Sequence, residues 1–335
     1  MPKKPAKKSI SKKKVPAPIE PPANVEDALR QLVQLMSGGA PVMESDMKAL
    51  MTSLQRESST DGLDDAQLEA RADAQDLAFE AMETESKPKA RKLAQRALRL
   101  DPDCVDALMV LTDLDAPTMT EVIVGYTKAV EAGERALGEK FIRENKGDFW
   151  LLIDTRPYMR ALEQLASVYF AKGMNLDAIR IYEKMLELNP NDNQGVRDPL
   201  LGVYLCTGDL QGAGRLLKQY KDDAMANFAW GRVLERFLAG DPGGAAIALE
   251  KARRANHFVE LYLTAEKPIP RSKPEMYSPG SEEEALLCID NVGRAWALNK
   301  EAVFWLLDQR AAVKAKTPPS KAALKKFPIK GKKVQ

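Results

Sequence analysis

From residue 25 to residue 312 the apolar side chains return every three or four positions, which is the spacing of one face of an α-helix. Val25, Ala28, Leu29, Leu32, Val33 and Met36 form the first stripe, behind Asn24 as a helix cap, and Ser37-Gly-Gly-Ala-Pro41 ends it. A second helix is expected over 43–56, and Ser58-Ser-Thr-Asp-Gly62 then breaks the pattern before a longer helical array starts near Asp64. No run of alternating β-branched and aromatic residues bounded by hairpin turns occurs, so the expected fold class is all-α, without a sheet.

Within the array the pattern repeats itself. Leu162, Leu165, Ala166, Tyr169, Gly173, Ala178, Tyr182, Leu186 and Pro190 mark one unit over 159–192. Small Ala166 and Ala178 let two helices approach closely, Tyr169 and Tyr182 fill the space above them, and Gly173 suits the left-handed residue that ends the first helix. Tyr204, Gly208, Ala213 and Leu217 return 35 residues later, and Gly240, Ala245 and Leu249 follow after a further 32. Upstream, Leu77, Ala78, Ala90, Ala94, Ala97, Leu98 and Pro102 form an earlier unit, and 104–147 reads as another pair whose second helix runs from about Thr118 to Arg143.

This period near 34 resembles the tetratricopeptide helix-turn-helix repeat. One such pair cannot bury its apolar face alone, so the resemblance implies an α-solenoid of stacked antiparallel pairs over 64–262. Prolines at 268, 270, 274 and 279 make the next stretch irregular. Ser281 with Glu284 three residues on has capping-box spacing, and two helices, about 282–296 and 299–312, are expected to cap the array's last apolar face. Thr155-Arg-Pro-Tyr158, Asp192-Asn-Gln-Gly195 and the proline-rich Tyr262 to Tyr277 resemble the bacterial tetratricopeptide proteins related to the suppressor of tumorigenicity 7 domain, over roughly 75–310. That resemblance implies a helical repeat protein with no catalytic residues to carry over. Asp198-Pro199 and the two tails depart from it.

Charge adds a division that the helical pattern does not show. Residues 1–24 hold seven lysines against Glu20, and residues 311–335 hold eight lysines and no acid, so a chain of formal charge +2 has ends of +6 and +8 around a body of −12. Both ends are poor in large apolar groups and are expected to be disordered, over 1–24 and 313–335, with the helix pair of 25–60 following the first. Lysine blocks attract nucleic acid, acidic membranes or acidic protein, and only Phe327 interrupts them, so base stacking is not expected. No stretch is apolar enough for a signal peptide or a membrane span, and Cys104, Cys206 and Cys288 are odd in number and far apart. A cytoplasmic protein without membrane association is expected, its thiols reduced.

Catalytic chemistry finds no support. His257 is the only histidine and has no second metal ligand nearby, so neither a metal nor a catalytic role is expected. Gly212-Ala-Gly214 and Gly243-Gly244 lack the preceding strand and following Lys-Ser/Thr of a phosphate loop. Glu282, Glu283 and Glu284 read as an exposed run that complements a helix dipole. With no cofactor site expected, the reading is a non-catalytic adaptor that binds a peptide or helical segment of another protein in a groove lined by the first helix of each pair. Repeat spacing points Arg160, Glu163, Gln164, Ser167 and Phe170 into that groove. Arg156, Tyr158, Asn193, Gln194 and Arg197 stand at the openings of two consecutive units, where they either bind the partner or bond to turns and helix ends. The alternative is an architectural protein that grips nucleic acid or other anions through its lysine tails.

Overall fold

Five of the described helices begin at a side chain that accepts from a first-turn N–H group, those of Asp64, Thr118, Asp209, Asp241 and Ser281. The computed structural model describes residues 63–316 apart from Lys273 and Glu275; the expected helices of 25–36 and 43–56 and the lysine-rich segments 1–24 and 317–335 lie outside the described residues. The chain opens with α1 (Asp65–Glu83), where Asp64 and Gln67 cap each other reciprocally, and α2 (Lys87–Leu100), with proline in its first turn. The next pair is α3 (Val105–Asp115) and α4 (Met119–Leu137). The long helix expected to continue to Arg143 instead breaks at Gly138, whose φ of 78° leaves the helical region, and resumes as α5 (Glu139–Glu144).

Two 3₁₀ turns, Phe149–Leu151 and Ile153–Thr155, lead into α6 (Arg156–Lys172) and α7 (Asn175–Leu188). Then come α8 (Arg197–Thr207), α9 (Leu210–Gln219), α10 (Ala226–Leu238), α11 (Pro242–Ala255) and the short α12 (Phe258–Leu263). Gly173, Gly208 and Gly240 follow α6, α8 and α10 at φ of 82°, 74° and 75°, the conformation expected for the recurring glycine. No strand occurs among the described residues.

Consecutive helices pack as pairs, α1 with α2, α3 with α4, α6 with α7, α8 with α9 and α10 with α11. The second member of each pair also touches the first member of the next. Ala166, Ala178, Ala213 and Ala245 are fully buried, so the small residues of the repeat lie where two backbones come close. An alanine-rich cluster of Ala74, Ala78, Ala81, Ala90, Ala94 and Ala97 joins α1 and α2, and a second, larger cluster runs from α3 to the C-terminal helices.

The C-terminal pair, α13 (Glu282–Leu298) and α14 (Lys300–Lys316), does more than follow the last repeat. Helix α13 packs on α8 and α10, the first members of two pairs, and α14 on α13 and α10. The Trp296 ring meets that of Trp230 edge-on at 6.3 Å, and Trp305 lies 5.3 Å from Phe237. Gly202 on α8 makes this approach possible, because a Cβ there would run into the backbone carbonyl of Asn291. The seat of α13 therefore differs from the terminal cap expected from the sequence: the apolar positions Cys288, Ile289, Val292, Ala295 and Trp296 find their cover on the first helices. Helix α14 also runs four residues into the segment expected to be an unstructured tail.

Replacing Gly202 with alanine is expected to lower unfolding stability by about 2–3 kcal/mol, since α13 must shift to relieve the contact. Urea denaturation measures it, and a variant as stable as the parent would refute the close seat of α13.

Candidate functional site

The first helices of three pairs, α1, α3 and α6, share a face joined by one polar chain. Gln75 donates to the Asp106 carboxylate at 2.6 Å, and Arg160 donates to the same carboxylate through Nε at 3.0 Å and through a second, shorter bond. Asp106 is fully buried, so the fork of the Arg160 guanidinium and the Gln75 amide compensate for the water it has lost. The same guanidinium stands 5.9 Å from the ring of Phe79 on α1. Phe79 and Met82 are 44% and 49% exposed, and Gln164 and Ser167 on α6 are also exposed. On the outer side of α1, Glu69, Asp73, Asp76, Glu80 and Glu83 line one helical face, all exposed.

Glu163 and Gln194 come together: the Gln194 amide donates to the Glu163 carboxylate at 2.8 Å, tying α6 to the turn before α8. Burial pushes the Glu163 carboxyl above its ordinary range against that donated bond, and the charge of Asp192 adds to the rise. Asn193 in the same turn is exposed. Arg197 lies across the turn, donating to Asp223 at 2.9 Å and to Asp192 at 3.2 Å, with the rings of Tyr220 and Phe228 at 5.2 and 5.9 Å. Asp192 accepts from the backbone N–H groups of Val196 and Arg197, so its carboxylate caps α8.

Arg156 and Tyr158 belong to a different place. Arg156 donates to the Trp150 carbonyl at 3.4 Å and stacks over that indole at 5.0 Å. Tyr158 is 1% exposed, packs edge-on against Phe149 and donates its hydroxyl to Glu134, which also receives Lys184. Of the nine residues singled out in the sequence, Arg160, Gln164 and Ser167 thus line the face with Phe79, while Glu163 and Gln194 bond to each other beside it.

Where α8 and α10 present the corresponding face, α13 occupies it. Its Arg294 donates to the Phe170 carbonyl at 3.2 Å and lies 5.1 Å from that ring, so α13 reaches back to the end of α6. Glu284, expected to be exposed, is buried. Its carboxylate accepts from Ala226 N–H at 2.9 Å, from Asn256 at 2.9 Å and from Gly280 N–H at 2.6 Å. The Ser281 hydroxyl caps α13 as expected, but Glu284 is turned toward α10 instead of back to the cap. Nearby, Asp198 accepts from Asn227 at 3.1 Å, and its carboxyl is raised to about 7, first by burial and then by the charge of Asp223, against the pull of Arg197 and the Asn227 bond.

His257 is exposed at the start of α12 with its ring against Phe258, and the Gly212 and Gly244 N–H groups are taken by the caps Asp209 and Asp241. Among the described residues no group of three or more His, Cys, Asp or Glu side chains is placed to hold a metal ion. Sequence reasoning missed Gln75, Phe79, Met82 and Asp106; the one signal was Asp106 as a lone charge inside Cys104-Val-Asp-Ala-Leu-Met-Val-Leu111. No protein-family model matches the chain, and no curated protein matches it either.

Two outcomes follow from these contacts. Arg160→Ala leaves the Asp106 carboxylate buried with only Gln75, and is expected to lower unfolding stability by about 3 kcal/mol in urea titrations. Asp198 binds a proton more tightly in the folded chain than in the unfolded one, so its contribution is fully present near pH 4 and is lost as pH rises toward 7. Asp198→Asn, which keeps the acceptor for Asn227 without the charge, is expected to stabilise the chain by about 1–2 kcal/mol at pH 8 and hardly at all at pH 4. Equal effects at the two pH values, read as the difference from the parent chain, would contradict the raised carboxyl.

Proposed function

We propose that the chain is an α-solenoid of tetratricopeptide type that acts as a non-catalytic, cytoplasmic adaptor. It holds an extended or helical segment of a protein partner against the face of α1, α3 and α6. One observation supports this above the others: α13 lies on α8 and α10, so the face made by successive first helices receives a helix in this same chain. Over α1, α3 and α6 that face offers Phe79 and Met82 as apolar anchors, Arg160 held rigidly by Asp106, and exposed Gln164 and Ser167 as polar contacts. An amphipathic segment with an apolar ridge and a few hydrogen-bonding groups matches that composition. The free state of Cys104, Cys206 and Cys288 fits a reducing compartment, and no described helix is long and apolar enough to cross a membrane.

Affinity capture with the full chain, followed by identification of the bound peptide segment, tests the reading. Phe79→Asp combined with Ser167→Arg is expected to weaken capture at least about tenfold while leaving unfolding stability nearly unchanged, because both positions are exposed. Binding that ignores these changes yet falls steeply with salt, with a log–log slope of about 0.9 per phosphate contact, would overturn it in favour of the lysine tails.

A further inference from the structure

Four carboxylates and one guanidinium meet where α8, α10 and α13 join. Arg197 spends its donors on Asp223 at 2.9 Å and on Asp192 at 3.2 Å, and both of those side chains are almost wholly out of water. Glu284 of α13 is satisfied by Ala226 N–H, Asn256 and Gly280 N–H. Asp198, the second residue of α8, is left with the Asn227 amide at 3.1 Å as its one side-chain donor among the described residues. The amide oxygen of Asn227 is itself buried without a hydrogen-bond partner. The Asp198–Asn227 pair thus holds one acceptor too many. A proton on Asp198 corrects it, since a half-turn of the amide lets the carboxyl donate to that oxygen.

Asp198 also lies against α13. One turn further along α8, Gly202 meets the Asn291 carbonyl so closely that a Cβ would collide with it, which leaves no space for water in that seam. Three residues before Asn291, the buried Cys288 thiol is pushed well above its ordinary range by burial first and then by the charges of Asp198 and Glu284. An ionised Asp198 therefore faces Asp192 and Asp223 from the two turns and Glu284 from α13, with Arg197 the one opposite charge in the group. We propose that Asp198 is a proton-operated latch for α13: with the proton bound α13 stays seated on α8 and α10, and with the proton lost it lifts and lets water reach the carboxylate. The latch stands on this junction, whereas its use, opening the face of α8 and α10 to a partner segment, rests on the adaptor reading. The irregular stretch of 264–281 lets the start of α13 swing without unwinding a helix. The sign follows from where the proton is held more tightly. In the seated form the Asp198 carboxyl is raised to about 7 by burial and then by Asp223, and in the lifted form it returns to the ordinary range near ~4. Seating is fully favoured below about pH 4, weakens as pH rises, and levels off above about pH 8.

Amide hydrogen exchange of the full chain, read as protection factors so that the intrinsic effect of pH divides out, tests the latch. The α13 amides are expected to lose about tenfold in protection between pH 6 and pH 8, while those of α6 and α7 hold theirs within about twofold. Asp198→Asn is expected to abolish the change. Asp223→Asn, which removes the like charge acting most strongly on Asp198, is expected to move it to lower pH. Equal α13 protection at the two pH values, a loss that persists in Asp198→Asn, or a loss shared by α6 and α7 would each overturn the latch, the last in favour of destabilisation of the whole chain. A second arm reads the use with a fluorescent synthetic peptide of residues 282–298 as the probe. It is expected to bind the parent chain about tenfold more tightly at pH 8 than at pH 6, and Asp198→Asn weakly at both, because apparent affinity scales with the open fraction. If protection falls as expected and the peptide binds at neither pH, the latch stands and the opening to a partner falls. If the peptide binds equally well at both, the latch falls and the receptive face remains.

Discussion

A pair of helices packed as closely as Ala166 and Ala178 allow has one apolar side that it cannot cover by itself. Every later feature of the chain answers that constraint. Each pair packs against the next, the glycines at 173, 208 and 240 help turn the first helix back on the second within two or three residues, and the first-helix face of α8 and α10 is covered by α13. The close seat of α13 at Gly202 and the Trp230–Trp296 contact are the same solution applied once more, with a helix from outside the repeats taking the part of a neighbour.

Buried polar groups then fix which of several similar packings is adopted. Alanine-rich surfaces such as those of α1 and α2 are smooth and specify register weakly. Asp106 has full hydrogen bonding only when Gln75 and Arg160 arrive from two other helices, so a slip of α1 or α6 along α3 strands a charge. Asp192 has the same effect at the next junction, where it caps α8 and holds Arg197 beside the rings of Tyr220 and Phe228. The polar chain across the face is thus a register device that also leaves an arginine rigidly presented beside Phe79.

What the sequence revealed was what is local. The caps at Asp64 and Ser281, the glycines that end α6, α8 and α10 and the buried alanines all act within one or two turns of their own position, and the helical order follows from them. The break at Gly138 was hidden because a glycine inside an amphipathic run reads equally well as tolerated. The place of α13 was hidden for a different reason: an apolar stripe states that a helix will be buried and not against what. The site divided the same way. Arg160 bonds Asp106 on α3, and Gln164 and Ser167 are exposed on α6, whereas Tyr158 lies in the interior and Glu284 serves as a buried acceptor, each decided by partners 24 and 58 residues away.

Glu284 joins the N-terminus of α10, Asn256 after α11 and Gly280 at the close of the irregular stretch, three points that meet only when the C-terminal part of the chain is present. During synthesis α8 and α10 leave the ribosome some 45–75 residues before α13 exists, which at ~5–20 residues per second leaves Gly202 and Trp230 without their cover for several seconds. The nascent protein therefore carries a transient sticky face of its own making, and it becomes safe from association with its neighbours only when its final helices emerge.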